Sequence, residues 1–491
     1  MKYSFSNCSS CGKLMLLIGA LVAVPLGVLP FYSQDRIYSL AFVIPALGSV
    51  LAGTILCILT KDVNKGGLSW RSSVQRSSLT VLFAWLWGIL LGAIPFVFSG
   101  QLSFLQALFE SVSGWTTTGL SVMDVSQTRP IFLFHRSWMQ FCGGLGFVTM
   151  MIMLVQEKQS MNLYNAEGHT DKLMPNLRKT AQVIFMMYCS LLVLGVIAYR
   201  LVGMDLFDAL LHTMCALSTG GFSTKLNSIG EYNSLSIELV TIVLMLIGTT
   251  NFAVLLLMSK QKWRRVIRIS EIRFMFLLIA VFVPLTAISL RLRLNMSITE
   301  SFRHALFDIV SALSTTGYST MGYATWPPFA VGNLILMMLI GGGVGSTAGG
   351  LKLSRVYLML RLAKLNLKKR ISPDRKVEAP SYIKAEGKTP IDMELASDTT
   401  GFVVWYLGLF ILGTSLIMIT ANCTLQEAMF EFASALGTVG LSIGLTTPTT
   451  NAGTLIIEMV GMLLGRLEIF IVFLSIISGL TSFRNFLFKR K

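Results

Sequence analysis

Four fifteen-residue segments of this 491-residue chain align without gaps: Ala107–Ser121, Ala209–Ser223, Ala305–Ser319 and Ala428–Ser442. In each, a fixed Ala is followed twelve positions on by a fixed Gly, then by one large apolar residue and Ser. The runs around that Gly are Thr117-Thr118-Gly119-Leu120, Thr219-Gly220-Gly221-Phe222, Thr315-Thr316-Gly317-Tyr318 and Thr438-Val439-Gly440-Leu441. The residues opening each segment are apolar with helical spacing, yet too short for a bilayer crossing of about 20 residues. They read as re-entrant half-helices. The Thr-x-Gly run that follows is poor helix material, and irregular backbone at membrane depth is tolerated only inside protein or along a water-filled cavity. Gly admits backbone angles that turn carbonyls inward, and rings of carbonyls replace the hydration shell of a permeating cation. A half-helix that points its partly negative C-terminal end at the same place favours a cation over an anion. The chemistry asked of these residues is ion dehydration, not bond making. One such run would be an ordinary Gly-containing bend; four in one register, each between two apolar spans, form a constellation.

Other chemistry finds little support. The fourth position of each repeat carries Glu110, His212, Asp308 and Glu431. The three acids suit the half-helix dipole and are expected to attract cations at the outer mouth. An enzymatic carboxylate pair is excluded because they occupy equivalent positions in separate repeats. The four histidines (His135, His169, His212, His304) form no His-x-x-x-His or similar ligand cluster. There is no Gly-x-Ser-x-Gly elbow and no Walker-type phosphate loop, so neither an enzyme nor an ATP site is expected. Five of the seven cysteines (Cys57, Cys142, Cys189, Cys215, Cys423) lie in or beside apolar segments as small hydrophobes. Cys8 and Cys11 form a lone Cys-x-x-Cys without a second pair, which argues against zinc. Asn251, inside an apolar helix, is read as an interhelical hydrogen-bonding residue.

The elements that must carry the repeats are membrane helices. Only 13% of residues are charged and 53% are hydrophobic, against about 25% charged in soluble domains. Apolar runs recur at Lys13–Ser33, Ser39–Leu59, Leu79–Ser99, Trp138–Val155, Ala181–Leu201, Ser236–Met258, Phe274–Leu290, Val331–Leu360, Phe402–Thr420 and Thr454–Leu480. They predict about ten crossings. The N-terminus lacks a small-residue cleavage site and reads as retained. The net charge of +16 is concentrated in Lys61–Arg76, Lys260–Arg273, Lys352–Lys388 and the tail Arg484–Lys491. Short basic loops mark the cytoplasmic side and favour anionic inner-leaflet lipid, which accounts for the charge without nucleic acid. An even number of crossings then places both termini in the cytoplasm and brings all four loops in from outside. Arg291 and Arg293 fall outside and weaken the charge rule locally.

Six glycines fall within Gly341–Gly350, inside the apolar run Val331–Leu360, and at about 1 kcal/mol each relative to Ala they must break the helix. They are expected to form a gate, a loop beneath the four runs that obstructs ions and moves aside, with close helix packing through small residues as the plainer alternative. Arg466 stands within Thr454–Leu480, where an Arg usually faces protein or water. Glu468 is near, but two positions away does not share its helix face. Arg466 is therefore placed on the pore wall below the four loops, where it would repel a cation. Lys352 is either a second such cation or a snorkelling cytoplasmic lysine.

These motifs resemble the Trk/Ktr/HKT superfamily of K⁺ transport proteins over nearly the whole chain. Thr118-Gly119-Leu120, Gly220-Gly221-Phe222, Thr316-Gly317-Tyr318 and Val439-Gly440-Leu441 are similar to its four filter loops. Gly341-Gly342-Gly343-Val344-Gly345-Ser346-Thr347-Ala348-Gly349-Gly350 with Lys352 is similar to its intramembrane loop, and Gly465-Arg466-Leu467-Glu468 to its arginine-bearing last helix. Two extra helices before the first repeat make the chain most similar to the bacterial TrkH/TrkG branch. The resemblance implies an all-α integral membrane fold of four M1–P–M2 units (helix, re-entrant pore loop, helix) around a pseudo-fourfold pore. The expected units are residues 1–76 (two N-terminal helices), then 77–160, 161–268, 269–398 and 399–491. It further implies K⁺ (and Rb⁺) as the transported ion, no bound cofactor, a bacterial inner-membrane location, a homodimer with one pore per subunit, and a cytosolic nucleotide-binding partner of the TrkA type. In the family, Gly in the first loop goes with K⁺ and Ser with Na⁺, so Gly119 supports K⁺. Gly220 departs from the Thr or Val of the other loops and makes that quarter more flexible. A Na⁺-permeable or ion-coupled transporter of the same fold, and a non-transporting scaffold, are the rival readings.

Overall fold

The computed structural model describes residues 10–60, 70–154, 176–371 and 380–488. Cys8, His169, the basic residues of 61–69 and 372–379, and the last three residues of the tail lie outside them. Two helices, α1 (Ser10–Ala23) and α2 (Ser39–Leu59), pack on each other and against α3 (Trp70–Phe98). Four helix–half-helix–helix units follow. Their long first helices are α3, α7 (Leu177–Leu201), α11 (Ser270–Leu294) and α15 (Met393–Ala421). With α1 and α2 and their short extensions, these are, among the described residues, the six continuous helices long and apolar enough to cross a membrane. Much of their apolar surface faces outward, as at Leu40, Ile44, Leu47, Leu51 and Ile55 along one face of α2. In lipid such a surface is already in its preferred solvent, and the intrahelical bonds satisfy the backbone.

The half-helices are α4 (Phe104–Trp115), α8 (Leu206–Leu217), α12 (Ile298–Ser314) and α16 (Leu425–Gly437), none long enough to cross. Each begins at a side-chain cap. Ser103, Ser297 and Thr424 close capping boxes with Gln106, Glu300 and Glu427, and Asp205 caps α8. Hydrogen bonds from Ser297 and Thr424 hold the Glu300 and Glu427 carboxyls below the usual carboxylate range. Those caps fix where the half-helix starts, and the repeat's own Thr or Ser, at Thr116, Ser218, Thr315 and Thr438, ends it.

The second helix of three units differs from expectation. Trp138–Val155, Ser236–Met258, Val331–Leu360 and Thr454–Leu480 each read as one span, with a break foreseen only in the third. All four are broken. The first is α5 (Pro130–Leu145) and α6 (Phe147–Leu154), parted at Gly146 with φ +80°. The second, α9 (Leu235–Gly248) and α10 (Phe252–Ser259), bends by 111°. The third is α13 (Pro328–Ile340) and α14 (Leu353–Ile371), separated by the Gly-rich loop. The fourth, α17 (Ala452–Arg466) and α18 (Ile469–Phe488), bends by 104° at Glu468, φ +58°. The apolar pattern runs on through the first, second and fourth breaks, which hides the turn from periodicity.

The units close on themselves. α5 packs on α8, α9 on α12, α13 on α16, and α17 returns to α4, so each second helix buttresses the next half-helix. Among the described residues there is one sheet: β1 (Ser381–Ile383) pairs antiparallel with β2 (Lys388–Pro390) in the linker before α15. Tyr382 is buried with Leu358 and Ile391, and Ile383 N–H donates to Ser270 Oγ at 3.0 Å.

Candidate functional site

The four Thr-x-Gly runs adopt one backbone course. Thr117, Thr219, Thr315 and Thr438 have φ between +50° and +55°, and Gly119, Gly221, Gly317 and Gly440 have φ of +100°, +72°, +81° and +96°. The residue between them does not have positive φ in any loop. Alternating the sign of φ turns successive carbonyls toward the same side, a course that an L side chain resists at the Gly position.

The loops meet in a closed cycle. A Cβ on Gly119 would run into the carbonyl oxygen of Gly220, one on Gly221 into that of Thr316, one on Gly317 into that of Val439, and one on Gly440 into that of Thr118. Each ring glycine therefore lies against the carbonyl of the residue just before the equivalent glycine in the next loop. Thr117, Thr118, Thr219, Thr315, Thr316 and Thr438 are fully buried, and Leu120, Phe222, Tyr318 and Leu441 anchor the loops in the core. One side of the ring opens on a cavity of about 560 Å³ lined by the four glycines and by Ser121, Ser223, Ser319 and Ser442.

The other side meets the Gly-rich loop. The Thr347 hydroxyl lies 3.0 Å from the carbonyls of Leu217 and Gly248 and 3.3 Å from the Thr219 hydroxyl. Gly349 N–H donates to Thr315 Oγ1 at 2.9 Å, and a Cβ on Gly349 would collide with Thr438 Oγ1. The broken second unit holds the loop from the side. Gly343 N–H donates to Thr249 O at 3.0 Å, Phe252 N–H to Gly345 O at 3.2 Å, and Asn251 Nδ2 to Val344 O at 2.5 Å. Asn251 thus bonds to a loop while also capping α10. Gly341, Gly342 and Gly350 are crossing points of the loop, where a Cβ would meet Gly349, Ala348 and the Gly341 backbone respectively. The Ser346 hydroxyl closes the loop's turn on Gly343 O at 2.7 Å.

Arg466 reaches the same loop. Its Nη1 donates to Thr347 O at 2.7 Å, and its Nη2 to Gly143 O at 2.6 Å and Gly144 O at 3.1 Å, at the end of α5. Lys352, φ +77°, folds back to donate to Ala348 O. Glu468 pairs with Arg355 at 2.8 Å, and Arg355 also stacks 3.8 Å over Phe402. Arg466 and Lys352 line a cavity of only about 40 Å³ beneath the loop.

The fourth repeat position does not serve the outer mouth as expected. Glu110, His212, Asp308 and Glu431 are buried, in the second turn of the half-helix or deeper, and clamp the chain that leaves the ring. Glu110 accepts from Ser121 Oγ at 2.6 Å and from Val122 N–H at 2.7 Å; Glu431 accepts from Ser442 Oγ at 2.6 Å and Thr446 N–H at 3.0 Å. Asp308 accepts from Thr320 and Tyr323 hydroxyls, and His212 Nε2 lies 3.0 Å from Ser223 Oγ. The fixed Ser that ends the repeat is the partner in three of four units. The charged residues that line the cavity are instead Arg136, Lys225 and Glu231.

Two polar residues of α5 escaped the sequence reading. Arg136, 2% exposed, pairs with Glu110 at 3.1 Å and lies 4.0 Å over the Phe222 ring, joining the first two loops. Gln140, also buried, touches the second loop. The sequence signal is their polarity, since polar residues in an apolar span are expensive unless they do something: Gln140 stands inside the run Trp138–Val155 and Arg136 just before it. Breaking a buried pair by removing one partner costs about 3–5 kcal/mol. Arg136→Leu should therefore lower the thermal unfolding midpoint in detergent markedly, and adding Glu110→Gln should recover most of the loss; an unchanged midpoint in the single variant would contradict the pairing.

The chain is 30% identical to the Trk system potassium uptake protein TrkH of Halomonas elongata, over 94% of this chain and 95% of that one. It is equally 30% identical to the Trk system potassium uptake protein TrkG of Escherichia coli, with the same coverage. The fold superposes on the crystal structure of the potassium transporter TrkH from Vibrio parahaemolyticus with a TM-score of 0.79 and 25% identity, covering 95% of this chain and 98% of that one. These relatives are named as uptake proteins and transporters, not enzymes. A family model described as "TrkH: Cation transport protein" matches residues 49–486, and the chain, a multi-span membrane protein, belongs to that family.

Proposed function

We propose that this protein is a K⁺ uptake pore whose selectivity filter is the ring at Thr117–Leu120, Thr219–Phe222, Thr315–Tyr318 and Thr438–Leu441. The cycle of glycine–carbonyl contacts among the four loops carries the reading, because it supplies backbone oxygens from four directions at one level. The half-helices end at those loops, so their negative ends converge where a bare cation would sit. At the inner end, the buried Thr117 and Thr438 hydroxyls have no hydrogen-bond partner among the described residues, and such orphaned oxygens suit a dehydrated ion. The relatives' names supply K⁺ as the ion.

In this reading the four units 77–160, 161–268, 269–398 and 399–491 each contribute one quarter. The loop Gly341–Gly350 lies across the inner end of the filter as a gate, with Arg466 and Lys352 adding positive charge behind it. Entry is from outside, with both termini in the cytoplasm of a bacterial inner membrane and the membrane potential driving the ion. The family resemblance supports a homodimer and a cytosolic nucleotide-binding subunit that moves the gate.

Flux of K⁺, Rb⁺ and Na⁺ into liposomes holding the purified protein tests the function, with and without an imposed Na⁺ or H⁺ gradient. K⁺ and Rb⁺ flux driven by potential alone, exceeding Na⁺ flux, is expected. Flux that requires the second gradient would replace the pore with a coupled transporter, and no flux from folded protein would leave a scaffold.

A further inference from the structure

The second loop departs from the others at two places, and one residue outside the repeat bonds to it on both sides of Gly221. The seventh repeat position is Ser113, Ser311 and Ser434 in three units but Cys215 in the second. Those serines brace their own loops: Ser113 and Ser434 Oγ accept from the N–H of Gly119 and Gly440 at 3.0 Å, and Ser311 Oγ donates to Tyr318 O at 2.5 Å. A thiol is a much weaker hydrogen-bonding group. The other departure is Gly220, in place of Thr or Val.

Gln140, from α5 of the first unit, braces this loop one residue beyond the ring glycine. Its Oε1 accepts from Phe222 N–H at 3.1 Å and its Nε2 donates to Gly220 O at 2.5 Å. A Cβ on Gly220 would collide with that same amide. Gly220 is thus a fit to Gln140 rather than a source of slack, and its φ is not positive, so backbone freedom is not what the position needs. The carbonyl that Gln140 holds is the one facing Gly119 in the cycle. Among the described residues, the equivalent carbonyls of Thr118, Thr316 and Val439 accept no hydrogen bond.

We infer that Gln140 is a specificity-determining positioning residue, which fixes the second quarter of the ring and leaves that level with three free carbonyls and one shared with an amide. This rests on the ring being the filter. Without the brace, Gly220-Gly221 relaxes toward a smaller ion, because carbonyl position decides how well the ring matches K⁺.

Liposome flux tests it with Gln140→Met, which keeps the volume and removes both bonds. The K⁺/Na⁺ flux ratio should fall roughly tenfold. The triple variant Gln140→Ala, Gly220→Thr, Cys215→Ser rebuilds the plan of the other quarters and should restore the ratio. An unchanged ratio in Gln140→Met, or equal loss of both fluxes, overturns the proposal by leaving Gln140 a purely structural role. Should Gln140→Met fail to fold, the triple variant decides: a wild-type ratio supports the proposal and a lowered one overturns it. Gly221→Ala separates the two readings. If it leaves the ratio untouched the filter reading falls, whereas a changed ratio there beside an unchanged one in Gln140→Met defeats only the role of Gln140.

Discussion

Gly317→Ala is expected to abolish selective K⁺ uptake while the protein still inserts. Two effects coincide at this position. A φ of +81° costs an L residue about 1–2 kcal/mol. The added Cβ would also collide with the Val439 carbonyl oxygen and stand 3.0 Å from Gly440 Cα, so the neighbouring loop's backbone must move. That loop belongs to the ring, and its displacement spreads to Thr118 through Gly440. Each 1.4 kcal/mol of misfit corresponds to roughly a tenfold loss, so at least that much should be lost in uptake or in the K⁺/Na⁺ ratio. Growth of a K⁺-uptake-deficient bacterium on low K⁺ reads the first and liposome flux the second. Gly332→Ala, where a Cβ meets nothing within 4 Å, is the control and should grow normally. Wild-type uptake and selectivity in Gly317→Ala would remove the ring from the filter.

Arg466→Gln should act in the opposite direction and raise K⁺ flux. The guanidinium ties Thr347 of the loop to Gly143 and Gly144 of the first unit, and so holds the loop against the ring. A hydrogen bond to a charged group is worth about 1.5–3 kcal/mol, so its loss shifts a closed–open balance by roughly ten- to a hundredfold. Arg466→Lys separates tether from charge, since an ammonium keeps the charge but not the fork that reaches three carbonyls. A rise in both variants identifies the tether, and a rise in Gln alone identifies charge repulsion. A fall in flux with normal expression of Arg466→Gln would sink the gate reading.

The ring's position was legible in the sequence because the repeat writes it four times, locally and in register. What lay between repeats was not. The sequence offered Glu468 as a neighbour for Arg466, but its acceptors are main-chain carbonyls more than a hundred residues away, and carbonyls carry no side-chain signature. Glu110, Asp308 and Glu431 looked like surface charge because their partners, a serine, a threonine or a bare N–H, are residues that composition treats as ordinary. Three of the four helix breaks were hidden for a related reason. Gly146, Asn251 and Glu468 interrupt the chain singly, whereas the third break is announced by six glycines. Gly220 was visible as a departure, but its meaning depended on Gln140, eighty positions earlier and in another unit.

The cycle closes only when Gly440 reaches Thr118, and α4 is also joined to the last unit where Gln106 donates to Pro448 O, 342 positions on, at 2.8 Å. Synthesis delivers the chain from its N-terminus, and units inserted early must wait for those inserted late. Through most of translation the membrane therefore holds an arc, not a ring, and an arc has no fixed aperture. Completion of the ring is an event of the last unit's arrival, so the chain times its own assembly. In a ring of four separate subunits that timing would fall to their association instead.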